Sequence, residues 1–318
     1  MLGAVFAAVH HADVIAHRVG EPFGTLVLTL AVTIIEVALI ESIVLTPGSS
    51  PALARDTVFA VIMIVCNGLV GLCILWGGLR HHEQEFQTSG ASVYLSVLAA
   101  LSILTLVLPN YTLTAIGPYF SNTQLIFVSI ITVILYVAFL FIQTSRHTDY
   151  FRAESGPAQN GDHAYPSGRL VSASVVLLLL ALCGVILIAK KFATILEIGL
   201  SHIGAPQAVS GIVIAMVVLA PESITAVRAA LRNELQKSLN LALGSSLATI
   251  GLTIPAVAIT NVFIDKQIEI GLSSRDTLLL GLTLYLSLLT FGSGRTNILA
   301  GLVHIVVFAT YLFLVFIP

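Results

Sequence analysis

The sequence predicts an all-α polytopic membrane protein, an inverted repeat of two five-helix halves with the first helix truncated. Three observations carry this prediction. Of the 318 residues, 57% are apolar and only 9% are charged, with a mean hydropathy of +1.00, whereas soluble domains carry about 25% charge. Apolar stretches follow one another along the whole chain, and about 20 helical residues suffice to cross a hydrocarbon core of about 30 Å. Two glutamates, Glu36 and Glu222, stand inside such stretches, each followed by a short polar loop and a further span with small and polar residues in it.

Taken in order, Met1 to Val9 is apolar but too short to cross. It lacks the charged start and small-residue cleavage site of a signal peptide, so it reads as the tail of a helix. Nine full spans follow near 23–46, 57–79, 92–109, 122–143, 170–189, 207–229, 238–261, 276–291 and 297–317. Between the fourth and fifth lies 144–169, polar and rich in breakers such as Gly156, Pro157, Gly161 and Pro166, which reads as a linker. The chain therefore divides into a first half at 1–143, the linker, and a second half at 170–318. Lys190 to Ile203, with Glu197 and His202, reads as an amphipathic segment lying outside, or else as a gate. Cys66, Cys73 and Cys183 fall within spans without any Cys-x-x-Cys pair and read as buried free thiols.

Lys and Arg are retained on the cytoplasmic side of a membrane. Nine of the 14 cations fall on the side that holds 144–169, which puts the linker in the cytoplasm. A net charge of −2 with no large basic patch excludes nucleic-acid binding. The spans contain no His-Glu-x-x-His, Ser-Lys or Asp-Asp arrangement for an intramembrane hydrolase, so no enzyme and no cofactor is expected. A channel would need a polar stripe along the other spans, and they lack one. The expected partners are the lipid bilayer and small inorganic cations.

A carboxylate at the bilayer centre costs about 2.5 to 3.5 kcal/mol even on lenient scales, which makes Glu36 and Glu222 the primary site candidates. Pro221 removes one amide donor and so frees the carbonyl of Val217. A helix broken there would offer hard oxygens to a cation. Glu41 lies about 140° around the helix from Glu36 and about 7.5 Å nearer the outer surface, as a vestibule carboxylate or an interfacial residue. In the spans after the two glutamates, Asn67 and Thr249 hold matching places, with Ser245 one turn before Thr249. Each is a candidate oxygen donor, or else a bond between or within helices. His304, inside the last span, is either a bonded core residue or a proton relay. Arg295 is an anchor at a helix start or a gate. Five steps between the span of Glu36 and that of Glu222 make the two cross in opposite directions, as an inverted repeat requires.

These pieces resemble the calcium/cation antiporter superfamily. The matches are HADVIAHRVGEP from His11 to Pro22, Ala220-Pro221-Glu222, Leu243-Gly244-Ser245 continuing through Ala248-Thr249-Ile250, and FGSGRTN from Phe291 to Asn297. They occur in order over nearly the whole chain. The resemblance implies ten helices, with the ion between the second and third helix of each half, in a bacterial inner membrane. It implies that Glu36 and Glu222 bind both cation and proton, with Asn67, Thr249, Ser245 and Thr33 as polar ligands. The implied activity is exchange of cytosolic Ca2+ for protons by alternating access, with Na+ or K+ exchange through the same site as the alternative. The chain departs from the family pattern before each glutamate and after the first. Where the pattern has Thr and Ser, this chain has Val32 and Thr33 in the first half and Val218 and Leu219 in the second, and Met63 stands opposite Ser245.

Overall fold

In a computed structural model, which describes residues 1–20, 23–45, 50–151, 166–264 and 268–317, helices cover each of the nine expected spans and one more precedes them. They are α1 Leu2–Val19, α2 Phe23–Val44, α3 Leu53–His81, α4 Thr88–Tyr111, α5 Asn122–Arg146, α6 Gly168–His202, α7 Ala208–Leu231, α8 Leu235–Ile264, α9 Ser274–Phe291 and α10 Ile298–Phe316. By length and apolar composition, seven helices among the described residues (α3 to α8 and α10) suffice to cross a membrane. Most of the linker expected at 144–169 lies outside the described residues.

Starts and stops follow local chemistry. Ser121 and Gln124 form a reciprocal capping box at α5. Ser273 caps α9 and Asn297 caps α10 through their side-chain oxygens. Three helices contain a π-helical turn: Ile64–Leu69 in α3, Ile103–Val107 in α4 and Ile142–Arg146 in α5. A single widened turn of this kind leaves the local backbone bonding irregular and often marks a functional place. The one in α3 contains Asn67.

The packing is related by exchange of the two sets of five helices. α2 packs on α8 as α7 packs on α3, and α5 packs on α8 as α10 packs on α3. α1 pairs with its counterpart α6, and α4 with α9. The loops repeat the exchange. The α3–α4 and α9–α10 loops join through an antiparallel pair, β1 Gln84–Glu85 with β2 Arg295–Thr296. At the other end, the segment before α9 bonds the α4–α5 loop, from the amides of Ile270 and Gly271 to the carbonyl of Pro118. At the centre stand α3 and α8, 89% and 83% buried along their most apolar windows, against 11% for α6.

Close approach at the centre depends on missing side chains, the usual device where lipid removes the hydrophobic drive between helices. A Cβ on Gly301 would stand 2.7 Å from the Leu75 backbone nitrogen, so α10 meets α3 backbone to backbone. A Cβ on Gly251 would stand 2.8 Å from Cγ of Tyr136, which seats α8 on α5.

Several expectations are corrected. The apolar start is helical as expected but does not end near Val9, because the helix continues past the histidines to Val19 and ends at Gly20, whose φ is 79°. The segment 190–203 is not separate: α6 is one helix of 35 residues that runs through Gly184 and Gly199, since neither charge nor an isolated glycine alone stops a helix and the first proline after it is Pro206. Cys183 is exposed, because α6 turns most of its surface outward, whereas Cys66 and Cys73 are buried.

Candidate functional site

α2 and α7 bring Glu36 and Glu222 into the interior, 2% and 8% exposed. One turn of α8 holds both. Ser245 Oγ donates to Glu222 Oε2 at 2.6 Å, and Thr249 Oγ1 donates to Glu36 Oε2 at 2.6 Å. Residues four apart share one helical face about 6 Å apart along the axis, so a single stretch of α8 brackets two carboxylates from opposite halves. Hydrogen bonds to ionised acceptors are the strong class. The Thr249 hydroxyl has one hydrogen and also lies 3.0 Å from the Ser245 carbonyl, its alternative acceptor. Glu36 Oε1 is buried with no hydrogen-bond partner, as are the hydroxyls of Ser246 and Thr253. A buried oxygen left so costs about 1 to 3 kcal/mol, and a cation or proton would relieve it.

Asn67 is fully buried but turned to another partnership. Its Nδ2 donates to Thr283 Oγ1 at 2.8 Å and approaches Met63 Sδ at 3.8 Å. Its Oδ1 lies 3.1 Å from His304 Nδ1, and His304 Nε2 lies 3.0 Å from Thr290 Oγ1. With Oδ1 an acceptor, Nδ1 carries the hydrogen and Nε2 accepts from Thr290. The Thr283 hydroxyl then donates to Met63 Sδ at 3.4 Å. α3, α9 and α10 are thus joined by a continuous polar chain whose hydrogen bonds include neither glutamate.

The remaining candidates separate. Thr33 is buried one turn before Glu36, with its hydroxyl bonded to the Thr29 carbonyl of its own helix at 2.8 Å. The break expected at Pro221 does not occur: α7 runs on from Ala208 to Leu231. Packing on α3 and α8 holds the helix together, and the lost amide bond alone does not end it. Val217 therefore sits in a continuous helix, and Thr225 Oγ1 bonds the Pro221 carbonyl. Glu41 accepts a hydrogen bond from Thr260 Oγ1 on α8, apart from the Glu36 pair. Arg295 lies in the β1–β2 link against Glu85 at 3.2 Å, 67% and 69% exposed, an ion pair worth little and away from both buried glutamates.

Sequence reasoning missed Thr283, Thr290 and Thr253. Thr253 had a signal, since Ser245, Thr249 and Thr253 form a hydroxyl stripe at intervals of four. Thr283 and Thr290 had none.

The sequence profile of the sodium/calcium exchanger protein family matches residues 1–145 and 173–317. The chain belongs to this family. Its members are transporters, not enzymes. This exchanger-family chain is 47% identical to y4hA of Sinorhizobium fredii, over all of itself and 87% of that protein, which is named only provisionally as an ionic transporter. It is 37% identical to the sodium-potassium/proton antiporter ChaA of Escherichia coli, over 99% of itself and 86% of ChaA. Among solved structures, native YfkE superposes with a TM-score of 0.75 at 19% identity, covering 100% of this chain and 89% of YfkE. The H+/Ca2+ exchanger CAX gives 0.70 at 15%, covering 98% and 80%. At such identities the likeness is one of fold, and the fold is that of an all-helical membrane exchanger.

Proposed function

We propose that this exchanger-family chain exchanges cytosolic cations for protons across a bacterial inner membrane, with Glu36 and Glu222 as the shared site. The observation that carries the reading is the double grip of α8, Ser245 on Glu222 and Thr249 on Glu36. Two like charges bracketed by one helical turn, away from water, repel each other and cost several kcal/mol each in lost hydration. A cation offsets that cost, and so do protons. Either loaded form crosses between the two faces, whereas the empty dianion does not. Competition for the same two carboxylates thereby enforces exchange.

Ca2+ is the first reading of the cation, because two carboxylates neutralise it. With the hydroxyls of Ser245 and Thr249 they supply six oxygens at most, the lower end of the six to eight that calcium takes. Exchange of Na+ or K+ is the second reading. It is favoured by Met63, a thioether at the place in α3 that Ser245 holds in α8, and by the 37% identity to a sodium-potassium/proton antiporter. The division into 1–143, the linker 144–169 in the cytoplasm and 170–318 belongs to the same reading. It is supported by the exchange symmetry of the packing and by a family match in two stretches.

The test is proton movement in everted vesicles, followed with a pH-sensitive dye as Ca2+, Na+ and K+ are added in turn. Glu36→Gln and Glu222→Gln are each expected to abolish the response while the protein remains monodisperse in detergent. Full exchange by either variant would end the proposal, and the ion that drives the wild type decides between the two readings.

A further inference from the structure

α3 and α7 end side by side, and a cavity of about 520 Å3 lies between their ends, lined by Arg80, His81, Arg228, Leu231 and Arg232. Its walls are tied together. His81 Nε2 donates to the Leu231 carbonyl at 3.0 Å, and Gln84 Nε2 donates to the Ala230 carbonyl at 2.9 Å. No acid lines the cavity, and among the described residues none of the three arginines pairs with a carboxylate. One cation near each helix C-terminus complements the helix dipole. Three converging on one cavity go beyond that, and their mutual repulsion calls for an anion.

Trp76, the only tryptophan in the chain, lies one turn before Arg80 on the same face, and it and Leu79 are exposed. Tryptophan settles at the headgroup level of a bilayer, so the cavity mouth stands at the depth of lipid phosphates. Arginine's planar fork matches phosphate oxygens in pairs, and basic pockets between membrane helices on the cytoplasmic side suit anionic headgroups.

We infer that this cavity binds a phosphate group, with Arg80, Arg228 and Arg232 as its ligands and an anionic phospholipid as its source. This lies apart from the ion site. A headgroup held there would join the inner ends of the two helices that carry Asn67 and Glu222.

The test is lipid retention by the purified full chain in native mass spectrometry, with phosphatidylglycerol, cardiolipin or phosphatidylcholine added, alongside thermal melting with the same lipids and with inorganic phosphate. Retention of anionic over zwitterionic lipid is expected, falling at least tenfold when Arg80→Gln, Arg228→Gln and Arg232→Gln are combined. Arg169→Gln, an exposed arginine outside the cavity, is expected to leave retention unchanged. The triple Lys variant guards against misfolding: it keeps the charge but not the fork and should fall between the two. A melting shift with inorganic phosphate alone, lost in the triple Gln variant, would keep the phosphate site and change its source. Equal retention of anionic and zwitterionic lipid by the wild type, with no response to phosphate, would overturn the inference, as would undiminished retention by the triple Gln variant. None of these readouts depends on transport.

Discussion

Thr249→Val removes one hydroxyl and keeps the side-chain shape, so it isolates the bond to Glu36. That bond is 2.6 Å long at a position with no solvent exposure. A hydrogen bond to a charged group contributes about 1.5 to 3 kcal/mol, and at about 1.4 kcal/mol per decade its loss weakens apparent cation affinity about 10- to 150-fold. The valine leaves Glu36 Oε2 without its donor beside Oε1, which already lacks a partner. Dye dequenching in everted vesicles, titrated with cation at fixed pH, reads the affinity directly. Thr249→Ser restores the hydroxyl and should restore affinity to within about threefold, well inside the range expected for the lost bond. Thr249→Val with wild-type affinity would refute the claim that this hydroxyl serves the carboxylate; so would serine and valine variants that fail alike.

Met63→Ser places a hydroxyl opposite Ser245 and should raise the preference for Ca2+ over Na+ at least about tenfold, the worth of one added oxygen ligand at about 1.4 kcal/mol; competition transport assays would show it, and an unchanged preference would remove Met63 from the account of selectivity. His304 bonds the Asn67 side chain at 3.1 Å; if the two serve transport together, as proposed, Asn67→Ala combined with His304→Ala should weaken cation affinity no more than Asn67→Ala alone, and strictly additive losses in the same assay would count against a positioning role for His304. Gly251→Val drives a side chain into Tyr136 and should cost about 1 to 3 kcal/mol, read as a lower melting temperature, whereas Gly281→Val, with nothing within 4 Å, should melt like the wild type.

The spans were legible because apolar length is a strong signal: 23–46 became Phe23–Val44, and 122–143 became Asn122–Arg146. The end of α6 was not. A stop assigned at Lys190 and Lys191 assumes that charge ends a helix, when it only ends the part that lipid tolerates. Glu36 and Glu222 could be picked out by their burial cost alone. Their partners could not, since Thr249 reaches a glutamate 213 residues away, and that depends on how α2 lies against α8. Asn67 shows the reverse case. Its place in α3 matches that of Thr249 in α8, yet the π-helical turn around it and the threonine and histidine of α9 and α10 take it elsewhere.

That difference bears on how such a carrier would work. Exchanging the conformations of two inverted halves converts an opening on one face into an opening on the other. In the geometry seen here, α8 grips both glutamates while the matching turn of α3 is held by α9 and α10. In the exchanged geometry Asn67 would meet Glu222 as Thr249 meets Glu36, and Met63 would meet Glu36 as Ser245 meets Glu222. A thioether has no hydrogen to give, so the exchanged state lacks one charge-assisted bond worth about 1.5 to 3 kcal/mol. A carrier that holds its carboxylates unequally in its two states cannot bind cations equally in both. Because the transport cycle closes, the difference must return as a difference in bias between the loaded and the unloaded conformations. On the proposed mechanism the unloaded carrier would rest in the state where α8 holds both carboxylates, and replacing Met63 by a donor would shift that resting balance as well as selectivity.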